Sequence, residues 1–193
     1  MLWAVTTEFI LARDATSIAD LPPLATVCSI THITDISDDN FPALDQFCEN
    51  QHFPAGWARQ MISQSAEATL LHINHVPAAA GWLTRKPFYV SEIHRTFHAG
   101  EDGDYYFGDW VAPPFRGQGM QRALIAARLH RSSQAHRHWA LTMTRASIPA
   151  SLINYRTCGF EISAEWRSTK ILKWHRTHQQ IIRPQFPAGT ISL

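Results

Sequence analysis

Between Trp110 and Leu124 the chain reads Trp110-Val111-Ala112-Pro113-Pro114-Phe115-Arg116-Gly117-Gln118-Gly119-Met120-Gln121-Arg122-Ala123-Leu124, and these residue types suit an anion site. A β-type segment ends at Val111, Pro113 and Pro114 block its continuation, and a glycine turn feeds a strongly helical stretch. Glycines admit positive φ and let a ligand approach the main chain closely. The unpaired N–H groups of a helix start point outward with the positive end of the dipole, an arrangement suited to a phosphate or pyrophosphate. Arg116 and Arg122 add charge-assisted donors at the rim. The run is not a P-loop, because no Gly-Lys-Ser/Thr follows. It also lacks the third glycine and the later acidic residue of a dinucleotide fingerprint. A pyrophosphate carried by some other ligand is therefore expected.

A second informative run lies downstream, one helix, one strand and a further short helix away. It reads Ser151-Leu152-Ile153-Asn154-Tyr155-Arg156-Thr157-Cys158-Gly159-Phe160. With both runs in this order, the sequence resembles the GNAT superfamily of acyl-CoA-dependent N-acyltransferases. The signature there is Arg/Gln-x-x-Gly-x-Gly/Ala at a strand-to-helix turn, commonly written as a V-x-P-x-x-R-G-x-G run, and Val111, Pro113, Arg116, Gly117 and Gly119 fall on that run. Gln121 departs from it, standing where the motif has Gly or Ala. The second feature is an Asn-containing short helix ending in Tyr-x-x-x-Gly-Phe, met by Asn154, Tyr155, Gly159 and Phe160. The resemblance covers about 66–173, whereas 1–35 and 175–193 have no evident counterpart.

The resemblance implies one acyl-CoA N-acyltransferase domain over 1–193, with a mixed, mostly antiparallel twisted sheet flanked by helices. It implies acetyl-CoA as co-substrate. Arg116, Gly117, Gln118, Gly119, Met120 and Gln121 would cradle the pyrophosphate. The strand before the turn would splay from the next one, so that Trp110 and Val111 expose main-chain groups to the pantetheine amides, in the manner of strand addition. Asn154 would supply a side-chain amide near the same arm. Tyr155 stands at the general-acid position and would protonate the departing thiolate, while a main-chain N–H near Val111 polarises the thioester carbonyl. For the base, Asp109 on the strand before the turn and Glu92 on the preceding one are the candidate carboxylates, with His94 a third option. The implied reaction is direct transfer to a primary amine of a small molecule or peptide. A non-catalytic acyl-CoA-binding module, a longer acyl donor and a hydroxyl acceptor stay open as alternatives. Homodimers are common among relatives.

The elements around these motifs follow from periodicity. Residues 3–13 and 24–34 are β-branched and aromatic and predict strands, separated by the turn Asp20-Leu21-Pro22-Pro23. A helix begins near Asp38 or Asp39, either a suitable cap, and runs to Asn50. A second starts at Pro54 and reaches about Ser65. Strands are predicted over 67–75, 78–86, 88–97 and 104–111. Met120, Ala123, Leu124 and Ala127 recur at helical spacing and place a helix over 119–134. A strand over 138–144, a short helix over 149–157 and one or two strands over 160–173 complete the pattern, and the tail from His175 reads as irregular. A meander leading into strand–helix–strand predicts an α/β arrangement with helices on both faces of a mixed sheet.

Composition narrows the classes further. The 193 residues are 45% hydrophobic and 17% charged, so the chain has a buriable core. Lys plus Arg is 17 against 16 Asp plus Glu, a formal charge of +1 that argues against a nucleic-acid or anionic-membrane partner. No stretch approaches the ~20 apolar residues of a membrane span, and Met1–Ile10 lacks the basic segment of a secretory signal. Cys28, Cys48 and Cys158 are odd in number and far apart, which predicts a reducing, cytoplasmic setting without disulfides. No metal is expected, because the scattered histidines lack completing ligands. Arg128, Arg131 and Arg137 read as a solvated helix face, and Phe53, Trp57 and Trp166 are candidate walls of an acceptor pocket.

Overall fold

The computed structural model describes residues 3–17, 21, 28–91, 94–171, 174–183 and 189–192. In chain order these form β1 (Trp3–Asp14), β2 (Cys28–Ile33), α1 (Phe41–Asn50), α2 (Trp57–Ser63), β3 (Glu67–Ile73), β4 (Val76–Thr84), β5 (Phe88–Val90), β6 (Arg95–His98), β7 (Gly103–Val111), α3 (Met120–Gln134), β8 (Trp139–Arg145), α4 (Pro149–Thr157), β9 (Glu161–Ile171), β10 (Trp174–Ile181) and β11 (Thr190–Ser192). Eight strands make one sheet in the order β10-β9-β1-β8-β7-β4-β3-β2. Every pairing in it is antiparallel except that of β7 with β8. The expected mixed, mostly antiparallel sheet is present.

Both faces are covered, as the alternation of apolar residues requires. On one side Phe41, Leu44, Ala58 and Met61 of α1 and α2 pack with Ile10, Leu70, Trp82 and Trp166. On the other, Ile125 and Leu129 of α3, Tyr155 of α4 and Cys158 just after it pack with Leu11, Leu83, Tyr106 and Ala140. Met120 and Leu124 extend this second layer over Leu71 and Ala79.

Several boundaries differ from expectation. Neither Asp38 nor Asp39 caps α1: Asn40 holds the N-cap position, and Asp38 accepts the Asn40 main-chain N–H at 2.8 Å instead. Helix α2 starts at Trp57, after Gly56 at φ +70° rather than at Pro54. The segment 88–97 is two short strands, β5 and β6, paired with each other and, through β6, with β11 in a separate three-stranded sheet. The tail is thus strand rather than irregular at 174–181 and 190–192. Residues 22–27 lie outside the described residues.

Strand β1 has the largest structural consequence. It runs between β8 and β9, antiparallel to both, so two strands consecutive along the chain do not touch. Arg13 on β1 donates to the Cys158 carbonyl. A Cβ on Gly159, at φ +79°, would collide with that guanidinium. The arginine therefore ties the end of α4, and with it Tyr155, to the middle of the sheet.

Candidate active site

A gap in the sheet sets the site. Strands β7 and β8 pair only from Gly103↔Trp139 to Tyr106↔Thr142, and Thr142 Oγ1 donates to the Tyr106 carbonyl at 3.0 Å on that last rung. Beyond it β7 follows β4 as far as Val111, while β8 follows β1 as far as Arg145. The strands diverge, and the end of β7 is left without a strand partner on that edge among the described residues. A cleft of about 1010 Å³ passes through the gap, reaching the turn at Gly117–Gly119 at one end and Phe53 and Trp57 at the other.

A bulge in β7 aims one side chain into this gap. Ala80 pairs with Trp110 and Trp82 with Phe107, so β7 carries one more residue than β4 over that interval. Gly108 sits there at φ +63°, a conformation that glycine adopts freely. The extra residue reverses the alternation, and Asp109 faces the α3–α4 side, as Tyr106 does. There it meets Arg128 of α3, which is 0% exposed. Arg128 Nη1 lies 2.7 Å from Asp109 Oδ1, and Nη2 donates to Oδ2 at 2.8 Å. A second bond from Nη1 goes to the Trp82 carbonyl at 2.9 Å. A Cβ on Gly81 would come within 2.8 Å of Asp109 and 3.1 Å of Arg128, so the glycine leaves room for the ion pair.

Tyr155 closes this cluster. Its hydroxyl donates to Asp109 Oδ2 at 2.8 Å and accepts from Arg128 Nη2 at 3.2 Å. Burial pushes the phenol pKa up, the Asp109 carboxylate pushes the same way, and the Arg128 guanidinium opposes both without reversing them. The phenol therefore holds its proton across the neutral range. For Arg128, burial alone pulls the pKa down, but the Asp109 carboxylate and the neighbouring tyrosines outweigh it and the net direction is up. Among the thiols, burial raises Cys158 to about 11 and Cys48 to about 12, so neither is a thiolate near neutrality.

The turn has the conformation its glycines suggest. Gly117 and Gly119 lie at φ +74° and +80°, and Gly119 is the N-cap of α3 with no side chain capping it. A Cβ on Gly117 would meet nothing, so that face of the turn is open. Arg116 and Arg122 are exposed. Arg116 lies over the Trp110 ring at 5.4 Å and donates to the Val111 carbonyl at 3.1 Å. Gln118 donates back to the Pro114 carbonyl and is not among the residues lining the cleft, whereas Met120, its side chain buried in the core, lines it. The departing residue, Gln121, bridges α3 to α4: Asn154 donates to its Oε1 at 2.8 Å, and its Nε2 reaches Ser151 Oγ at 3.4 Å. An open glycine turn, an uncapped helix start and two rim arginines fit a pyrophosphate.

The structure brings Asp109, Trp110, Val111, the turn, Asn154 and Tyr155 to one cleft. Glu92 lies outside the described residues. His94, at φ +52°, bonds the Tyr89 hydroxyl at 3.2 Å instead of reaching the cluster. Trp166 is 0% exposed and packs against Phe97, so it walls no pocket, whereas Phe53 and Trp57 do line the cleft. The reading of Arg128, Arg131 and Arg137 as a solvated helix face is corrected, and Arg137 lies beyond the end of α3. Arg128 is fully buried, Arg131 pairs with Glu67, and Arg137 with Asp104 at 3.2 Å. The signal for Arg128 was its spacing, because Met120, Leu124, Arg128 and Ser132 follow at steps of four along the buried stripe. Among the described residues there is no group of three or more His, Cys, Asp or Glu able to hold a metal. No described helix is long and apolar enough to cross a membrane.

This is the fold of the GNAT acetyltransferases, so the resemblance carried by the two motifs is borne out at the level of the fold. A tandem GNAT protein from the clavulanic acid biosynthesis pathway superimposes with a TM-score of 0.61 at 12% identity, over 86% of this chain and 53% of that one. A GCN5-related N-acetyltransferase from Kribbella flavida gives 0.56 at 15% identity, over 86% and 58%. The ribosomal-protein-S18-alanine N-acetyltransferase from Escherichia coli gives 0.50 at 19% identity, over 69% and 77%. The chain spans little more than half the length of the first two. No protein-family model and no curated protein matches the sequence.

Proposed function

We propose that this chain is a single-domain N-acetyltransferase of a reducing compartment, moving an acetyl group from acetyl-CoA to a primary amine. The observation that carries the reading is the continuous cleft joining the glycine turn, through the gap between β7 and β8, to Asp109 and Tyr155. Acetyl-CoA supplies an activated acetyl thioester. Main-chain N–H groups of 117–121 and the guanidinium groups of Arg116 and Arg122 bind its pyrophosphate. The free edge of β7 near Trp110 and Val111, with Asn154, orients the pantetheine arm. In the reaction an N–C bond forms, the C–S bond breaks, the amine loses one proton and the sulfur gains one. Tyr155 donates that proton to the sulfur. Asp109, hydrogen-bonded to Tyr155, receives the amine's proton and returns it to the phenol. Cys48 and Cys158 lie outside the cleft lining and both hold their protons, which supports direct transfer to the amine without either as an acyl carrier.

The test is CoA release from acetyl-CoA across an amine panel. Turnover on at least one amine is expected, and tight acetyl-CoA binding without turnover on any amine would sink the amine-acetyltransferase reading. For the cradle, Gly119→Val is expected to weaken acetyl-CoA binding about tenfold or more, the worth of one or two lost phosphate contacts. Calorimetric affinity unchanged from the wild type would refute it.

The cluster also has a pH signature. Asp109→Asn removes the charge that helps hold the Tyr155 phenol pKa up while leaving Arg128, which pulls it down. The phenol should then ionise at lower pH than in the wild type. Alkaline absorbance titration of Asp109→Asn, compared with the same variant carrying Tyr155→Phe, isolates this phenol. Identical curves for wild type and Asp109→Asn would contradict the coupling.

A further inference from the structure

The acceptor end of the cleft has a chemistry of its own. Phe53 and Trp57 stack with centroids 4.5 Å apart, and both are half-buried against the cleft. Trp57 meets Trp82 edge-on at 5.0 Å, and Phe88 lies against Phe107 at 4.1 Å. This aromatic wall abuts the β7 bulge, since a Cβ on Gly108 would come 3.1 Å from the Trp57 ring. The rings therefore stand beside the residue that presents Asp109. The charges tell the other half. Among the described residues lining the cleft the carboxylates are Glu8 and Asp109. Each faces an arginine, Glu8 meeting Arg145 Nε at 3.5 Å and Asp109 meeting Arg128 Nη1 at 2.7 Å.

Resting on the acetyltransferase reading, we infer that the acceptor is a monoamine carried on a flat apolar body, an arylalkylamine, rather than a polyamine, aminoglycoside or lysine-rich peptide. A polycation needs acidic groups to replace its hydration, and both carboxylates among the described residues of the cleft are already compensated by arginines. Ring faces instead stack on a planar body and bury its apolar area. The Phe53–Trp57 pair would take the ring, with the amine directed along β7 toward the gap.

The experiment compares kcat/KM for 2-phenylethylamine, spermidine and a lysine-containing peptide at fixed acetyl-CoA. The phenylethylamine should be favoured by about tenfold or more, the worth of one well-stacked, buried ring. Trp57→Ala should remove the preference through KM, and Phe53→Ala, at a less central position, provides the same readout if the first variant does not fold. Spermidine or the peptide equalling the phenylethylamine would overturn the inference, as would an unchanged KM in a folded variant. If no amine is turned over, the acetyltransferase reading fails. The cleft is then judged by titrating intrinsic tryptophan fluorescence with 2-phenylethylamine. Saturable quenching that disappears in the Trp57 or Phe53 variant supports the aromatic subsite, and its absence in the wild type overturns it.

Discussion

Tyr155→Phe is expected to lower kcat by about 10²–10⁴-fold, the usual worth of a positioned general acid, with acetyl-CoA affinity kept. The substitution removes one oxygen from a side chain that is 2% exposed and leaves the ring packed against Phe160 at 5.0 Å. Asp109 keeps both of its contacts to Arg128, so no carboxylate is stranded. The folding cost should therefore be about 1 kcal/mol, that of one buried hydrogen bond. This separation of effects makes the measurement decisive: kcat should collapse while calorimetric acetyl-CoA binding and the thermal midpoint change little. A variant that keeps a third or more of the wild-type kcat would remove Tyr155 from the chemistry. Equal losses in kcat and in acetyl-CoA affinity would assign it to binding instead.

What could be read from sequence alone was what is encoded locally. The glycine turn, the following helix and the Asn154–Tyr155 helix are short runs whose residue types state their own geometry, and each lies within a residue or so of its expected place. Non-local pairing was not legible in the same way. Residues 3–13 read as a strand, but nothing in them says that β1 lies between β8 and β9, because that depends on partners more than a hundred residues away. Asp109 could be named as a carboxylate on the right strand, yet strict alternation from Tyr106 assigns it to the opposite face. Only the bulge at Gly108 turns it toward Arg128 and Tyr155. Charge misled for a similar reason. An arginine is ordinarily exposed, and Arg128 is buried against a carboxylate that the bulge sends it, with the Trp82 carbonyl and the Tyr155 hydroxyl as further partners. Phe53 and Trp166 were equal candidates for the pocket wall, and the small β5–β6–β11 sheet beside Trp166 decides against the second.

The same pair carries the largest expected effect on stability. Arg128→Met keeps an unbranched apolar stem and much of its packing but leaves Asp109, with 9% of its side chain exposed, facing no cation in a buried site. Breaking a buried pair on one side costs about 3–5 kcal/mol, and at roughly 2–4 °C per kcal/mol for a chain of this size the midpoint should fall by on the order of 10 °C. Removing both charges, as in Arg128→Met with Asp109→Leu, should recover most of that loss, since apolar replacement of a whole buried pair is often neutral. Arg128→Lys should fall between, because a lysine supplies the charge without the fork that spans both Asp109 oxygens and the Trp82 carbonyl. Urea unfolding of the four proteins measures this directly. A cost below about 1 kcal/mol for Arg128→Met, the range of an exposed pair, would show that the pair does not hold the two helices and the bulge together. Failure of the double variant to recover would mean that the cost lies in lost packing rather than in the stranded carboxylate. Recovery of stability without recovery of turnover would separate the structural duty of Asp109, closing the ion pair with Arg128, from the proposed one, passing the amine's proton to Tyr155.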